Sequence, residues 1–202
     1  SYITHEILPN AHPLLTAYPG LRVLRTDRHP VDICYSWHTR NWGERWGNDP
    51  YAFSVAADTP DGPVPWFAVD FADTYYRLTP TERIIRCVLH ISELYEKAEA
   101  EYAEKAPDLL HTVAFENIVT RPLDELQKIA SWLKTDVPDN ITIAMARERV
   151  PRTLDDQSRK DKLHVLHMNL SDELIEQLNA ASRKYEEKWD IKELDHFENT
   201  NR

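Results

Sequence analysis

The chain has 202 residues, 42% of them hydrophobic and 29% charged, enough to build one core of domain size. Acidic residues outnumber basic ones by 34 to 24, for a net charge of -10. That balance excludes a general affinity for nucleic acid or anionic membrane, so any anion site has to be local. Only four glycines occur, Gly20, Gly43, Gly47 and Gly62, where average usage would give roughly fourteen. Their spacing excludes a G-x-x-x-x-G-K-[ST] phosphate loop and a G-x-G-x-x-G turn within this chain.

Leu21–Asp27 reads as a short strand, and Pro30 opens a helical pattern that runs to about Trp42. Proline suits a first helical turn because the N–H it lacks would be unpaired there. Residues 43–80 hold three of the four glycines and many prolines, with Asp58-Thr-Pro-Asp-Gly-Pro63 at the centre. They predict a long surface excursion with little regular structure. Thr79-Pro-Thr-Glu82 then opens a long helix to about Lys105, with Ile84, Cys87, Val88, Ile91, Leu94 and Tyr95 at three- and four-residue spacing and a charged, solvated far half over 96–104.

Leu110–Phe115 is a second short strand, and a helix follows from Pro122 to Leu133 with Leu123, Leu126, Ile129, Ala130 and Leu133 on one side. Pro138 starts a short helix through Arg149, and a basic polar stretch over 147–162 leads to a last helix capped by Ser171. Strands separated by helices of this length indicate right-handed crossovers and an α/β fold with a parallel sheet flanked by helices. Two strands are few for such a sheet, and more of it is expected elsewhere in the parent chain. Cys34 and Cys87 fall in helical patterns and read as buried thiols, not as a disulfide framework or zinc site. The sequons Asn140-Ile-Thr142 and Asn169-Leu-Ser171 occur at about the frequency expected by chance, and no apolar run approaches the roughly 18 residues of a membrane span.

The segment from Arg22 to His38 carries the most chemistry. A strand ends in Arg28, a proline opens the next helix, and Ser36 lies two turns along it. An arginine at a strand's carboxyl end beside a helix amino terminus suits a phosphate, since guanidinium, backbone N–H groups and helix dipole all favour an anion. The structural alternative pairs Arg28 with Asp32 and turns the Ser36 hydroxyl back onto its own helix. Trp37, Trp42 and Trp46 either line a pocket or pack together. His164 and His167 share a helical face but lack a third metal ligand.

Arg28, Pro30, Asp32 and Ser36 resemble, in identity and spacing, the 3'-phosphate motif of the sulfotransferases that use 3'-phosphoadenylyl sulfate (PAPS). Further resemblances follow in the expected order. The stretch from Val113 to Pro122 is similar to the family's Tyr-Glu-Asp-Leu segment, with Phe115 in place of an adenine-contacting tyrosine. Leu126–Leu133 resembles the helix that follows it. Arg159-Lys160-Asp161 resembles the Arg-Lys-Gly that closes on the same phosphate, twelve residues before the helix-capping Ser171, with aspartate replacing the glycine. Thr4-His5, 23 residues before Arg28, is similar to the Thr-His of the cytosolic members, whose histidine is a general base.

The resemblance implies a three-layer, P-loop NTPase-like α/β domain, of which these residues cover the later two thirds. The family's 5'-phosphosulfate loop, Pro-x-x-Gly-Thr-[Thr/Ser], is not in the chain. It is expected ahead of Ser1, and the 202 residues alone are expected to be inactive. By resemblance Arg28, Ser36, Arg159, Lys160 and Phe115 bind PAPS or its product 3',5'-adenosine bisphosphate, His5 is catalytic, and Asp32 and Glu116 are structural. The implied reaction transfers a sulfuryl group to a hydroxyl or amine of a small-molecule or glycan acceptor. Two alternatives stand beside it: a non-catalytic nucleotide-binding or interaction domain of the same fold, and another P-loop-type transferase or kinase. No nucleic-acid partner or membrane span is expected. The acceptor, homo-oligomer formation and the compartment, cytoplasm or an anchored Golgi-lumen location, stay open.

Overall fold

The computed structural model describes residues 8–18, 20–52, 54–168 and 170–191. In chain order the elements begin with a 3-10 turn at Leu8–Asn10, α1 (His12–Ala17), β1 (Val23–Asp27), α2 (Pro30–His38) and α3 (Trp42–Asn48). A hairpin of β2 (Ala56–Thr59) and β3 (Gly62–Pro65) follows, then a 3-10 segment at Trp66–Phe71, α4 (Ala72–Tyr75) and α5 (Pro80–Lys105). The remainder is β4 (Leu110–Ala114), α6 (Phe115–Thr120), α7 (Pro122–Leu133), α8 (Ile141–Glu148), α9 (Asp156–His167) and α10 (Asp172–Trp189). These form two compact units, one from residues up to Arg28 with Leu94–Asp155, the other from His29–Glu93 with residues from Asp156 onward.

The first unit is built on β1 and β4, which pair in parallel from Val23↔Leu110 to Asp27↔Ala114. The parallel α/β character expected from the sequence is therefore present, as a two-stranded sheet among the described residues. Arg25 of β1 and Thr112 of β4 are register partners, and both reach Glu99 on the far half of α5. The Arg25 guanidinium donates to Glu99 and lies 4.4 Å over the Tyr95 ring, while the Thr112 hydroxyl donates to Glu99 at 2.6 Å. That half of α5 is therefore not a simply solvated face, because one carboxylate ties the helix to both strands. On α7 the buried residues are Pro122, Glu125 and Ala130, whereas Leu123 and Leu133 stay exposed. The helix thus turns a narrower apolar face inward than its leucine spacing predicts. Trp132 stacks on His111 of β4 with ring centroids 5.3 Å apart.

In the second unit, Val31 and Cys34 of α2, Ile84, Ile85 and Val88 of α5, Leu163 and Leu166 of α9, and Leu174 and Leu178 of α10 form one buried cluster. α5 opens with a reciprocal capping box. The Thr79 hydroxyl accepts from Glu82 N–H at 3.3 Å, and the Glu82 carboxylate accepts from Thr79 N–H at 2.9 Å. Ser171 caps α10 through Leu174 N–H. The polar stretch expected before α10 is in large part the helix α9. Its core-facing stripe consists of Arg159, Leu163 and Leu166, and the arginine within it hides the apolar period.

The 43–80 segment also departs from the expectation. It contains α3, a hairpin, a 3-10 segment and α4, and it buries Trp46, Val64, Phe67, Ala68 and Tyr75. The Asp58–Pro63 punctuation marks the hairpin's two-residue turn, closed by the Thr59 hydroxyl donating to the Gly62 carbonyl at 2.6 Å. Trp46 holds the aromatic residues together, with Trp37 and Trp42 at 5.0 Å and Phe67 at 5.3 Å, so the tryptophans pack against one another.

The segment is pinned by Arg83, only 6% exposed. Its guanidinium donates to the carbonyls of Gly43 at 2.6 Å, Leu78 at 2.9 Å and Tyr75 at 3.3 Å. Close approach requires glycine at two places on α3. A Cβ at Gly43 would lie 1.9 Å from the Pro80 carbonyl oxygen, and one at Gly47 would lie 2.4 Å from the Arg83 guanidinium. Gly43→Ala must push backbone against backbone, and we expect it to lower unfolding stability by about 3 kcal/mol. Urea denaturation checks this, and an unchanged midpoint would contradict the packing of α3 on the start of α5.

Candidate functional site

Parallel pairing ends β1 and β4 together at Asp27 and Ala114, so Arg28 and Phe115 are the next residues of two neighbouring strands, at their carboxyl ends. Ligands of open α/β sheets bind at that edge. The Arg28 guanidinium lies over the Phe115 ring, its carbon 4.9 Å from the centroid. Its Nε–H is buried without a hydrogen-bond partner, and no carboxylate pairs with it among the described residues. The neighbouring Asp27 carboxylate instead accepts from the Arg25 guanidinium at 3.0 Å and from the backbone N–H of Arg28 at 3.2 Å. Glu116, at the start of α6, is 1% exposed, as suits a structural residue.

The remaining motif residues belong to the second unit, at the start of α2. Here the structure differs from the expectation that helix N–H groups are offered to an anion. Pro30 has no N–H, Val31 N–H donates to the Nδ1 of His29 at 3.3 Å, and the N–H groups of Asp32 and Ile33 donate to the His29 carbonyl at 3.0 and 3.2 Å. The helix is capped by its own histidine ring. With Nδ1 accepting, Nε2 carries the proton and donates to Glu186 of α10 at 3.1 Å. Both side chains are fully buried.

Asp32 plays a structural part, toward side chains of α9. Its carboxylate accepts from Arg159 at 3.2 Å through two guanidinium nitrogens and from Lys162 at 2.7 Å. Arg159, expected at a phosphate, is 6% exposed and engaged by Asp32. Lys160 is half-buried on α9, and Ser36 is half-buried on α2. The Ser36 hydroxyl makes no hydrogen bond among the described residues, and the Ser36 carbonyl accepts from the Thr39 hydroxyl at 3.2 Å. His5 lies outside the described residues.

Sequence reasoning passed over His29, Glu186 and Lys162. His29 occupies the variable position of the motif, and nothing in the α10 sequence singles out Glu186 among its many carboxylates. Lys162 had a signal, since it stands one turn from Arg159 on a helix. An open acidic cleft lined by Asp58, Asp61, Asp70 and Asp73 contains none of these residues. No described group of three or more side chains could hold a metal ion, and no described helix is long and apolar enough to cross a membrane.

Compared with protein-family models, curated proteins and solved structures, the chain has no match.

Burial holds His29 below its ordinary value of 6.5, its largest influence, with the Glu186 hydrogen bond opposing and the Arg159 charge reinforcing the shift. The unfolded chain therefore takes up a proton near pH 6.5 that the folded chain refuses. This contribution to stability is complete above that pH and declines as pH falls toward the lowered folded value. His167, also lowered by burial, acts in the same window. In His29→Asn, which retains a capping oxygen and cannot titrate, we expect the loss of stability below pH 6.5 to become shallower. Thermal melts across pH 4.5 to 7.5 on both proteins test this, and identical slopes would remove His29 from the account.

Proposed function

We propose that the chain is a sulfotransferase-like domain with a P-loop NTPase-like fold, whose nucleotide site recognises the 3'-phosphate of PAPS and of 3',5'-adenosine bisphosphate. The observation that carries the reading is Arg28. It is a cation at the carboxyl end of a parallel strand, stacked on an aromatic ring and without a carboxylate partner among the described residues. Arg25, three residues earlier, is by contrast neutralised by Asp27 and Glu99, and Arg83 has its donors filled by backbone carbonyls, whereas the described residues give the Arg28 guanidinium no such acceptor. A guanidinium kept unneutralised offers its fork to a planar or tetrahedral oxyanion.

In the proposed reaction an acceptor hydroxyl or amine attacks the sulfur of PAPS in line. A bond from acceptor to sulfur forms, the bond from sulfur to the bridging phosphate oxygen breaks, and the acceptor's proton passes to a base, a role that the sequence resemblance assigns to His5. The other product is 3',5'-adenosine bisphosphate. Arg28 touches none of the reacting atoms; it anchors the 3'-phosphate and so fixes the nucleotide for in-line attack. Ser36 and Lys160 enter the proposal on the sequence resemblance alone. Arg159 enters it with its guanidinium already on Asp32.

Isothermal titration with 3',5'-adenosine bisphosphate and with adenosine 5'-monophosphate tests the reading. The bisphosphate is expected to bind more tightly. Arg28→Ala is expected to weaken it by about tenfold or more, the loss of a charge-assisted hydrogen-bonded pair, and to leave the monophosphate unchanged. Equal affinity for the two nucleotides, or bisphosphate binding indifferent to Arg28, would overturn the assignment.

A further inference from the structure

We infer that Phe115 acts as an aromatic platform that orients Arg28, and not as a direct contact to the nucleobase; this rests on the phosphate-binding role proposed for Arg28. An arginine without a carboxylate partner has a long, freely rotating side chain. A carboxylate would fix its head but would also neutralise it. An aromatic face fixes it while leaving the charge in place, because the ring quadrupole attracts the cation and the two planes stack.

The geometry meets each requirement. The guanidinium carbon stands 4.9 Å from the Phe115 centroid, so one face of the ring is taken by the arginine and is closed to a base. Backbone register sets the pairing, since Arg28 and Phe115 directly follow the register partners Asp27 and Ala114 at the same end of a parallel pair. The acid nearest in the chain, Asp27, is drawn to Arg25 and to the Arg28 backbone N–H. The inner Nε–H of Arg28 is buried, whereas its two terminal nitrogens, with no protein partner among the described residues, are not among the buried unpartnered atoms and keep access to solvent. That is the fork a phosphate takes. Phenylalanine also lacks the hydroxyl that polar readout of a base would use.

The test compares wild type, Phe115→Leu and Phe115→Tyr, titrated with 3',5'-adenosine bisphosphate and with inorganic phosphate, alongside the NMR resonance of the Arg28 Nε–H. Phe115→Leu is expected to weaken both ligands by the same factor, about fivefold. Phe115→Tyr restores both, and an upfield ring-current shift of the Arg28 resonance is present in wild type and Tyr and lost in Leu. A loss confined to the bisphosphate would make Phe115 a base contact, and a Tyr variant as weak as Leu, or the absence of a ring-current shift in wild type, would overturn the platform. If wild type binds neither ligand, the phosphate-site reading fails and the platform's functional role with it, while the ring-current shift still reports the stacking.

Discussion

Asp32 lies in the first turn of α2 with 7% of its surface exposed, and its carboxylate draws Arg159 and Lys162 of α9 onto it. Asp32 and Arg159 are buried together, and the part-exposed Lys162 adds a second cation to the same carboxylate. Taking one partner from a buried pair typically costs about 3–5 kcal/mol, because the remaining charge stays desolvated. The first turn of a helix also favours an acid through the helix dipole. The start of α2 is thus held to α9 by charge and, one residue before Pro30, to α10 by the His29–Glu186 hydrogen bond. The apolar cluster of α2, α5, α9 and α10 lies along the same helices, so the network fixes the rotation at which α2 presents Val31 and Cys34 to that core.

The first unit shows the same residue type used in two opposite ways on one strand. Arg25 is satisfied by Asp27, Glu99 and the Tyr95 ring and binds β1 to α5. Arg28, beyond the last ladder pair, has an aromatic ring in place of a carboxylate. An unpartnered buried N–H is unfavourable, and a chain rich in acids could have satisfied it with one substitution. Under the proposed function Arg28 serves a ligand, in contrast to Arg25, which serves the fold.

Much of this was legible because it rests on local chemistry. Proline at the first turns of α2, α5 and α7, the Thr79–Glu82 box and the Ser171 cap each mark a helix start by a backbone requirement that short sequence windows carry. The β1 and β4 strands were legible as apolar runs between turn signals. Long-range pairing was not. Whether Arg159 meets a phosphate or Asp32 depends on a contact 127 residues away, and the burial of Glu186 depends on a histidine 157 residues earlier. The structure within 43–80 was hidden for another reason. Glycine and proline are turn signals in the sequence, yet Gly43 and Gly47 serve close packing, and Pro63 and Pro65 lie in the two-stranded ladder of β3, where an edge tolerates the missing donor.

Glycine is scarce, and where it occurs decides how this chain can meet an anion. Gly43 and Gly47 are required by the absence of a Cβ against Pro80 and Arg83. Meanwhile Asn41, Lys134, Arg149 and Asp190 adopt left-handed backbone angles at helix ends, conformations that glycine would adopt at lower conformational cost. A cradle of successive backbone N–H groups needs left-handed or closely approached backbone, which glycine adopts at least cost. The one helix start that the sequence offers for such a role, that of α2, has its N–H groups taken by His29 and by the turn itself. The backbone N–H groups at the start of α2 are therefore not available to an anion, and the Arg28 guanidinium, which under the proposed function would meet one, has no carboxylate partner among the described residues.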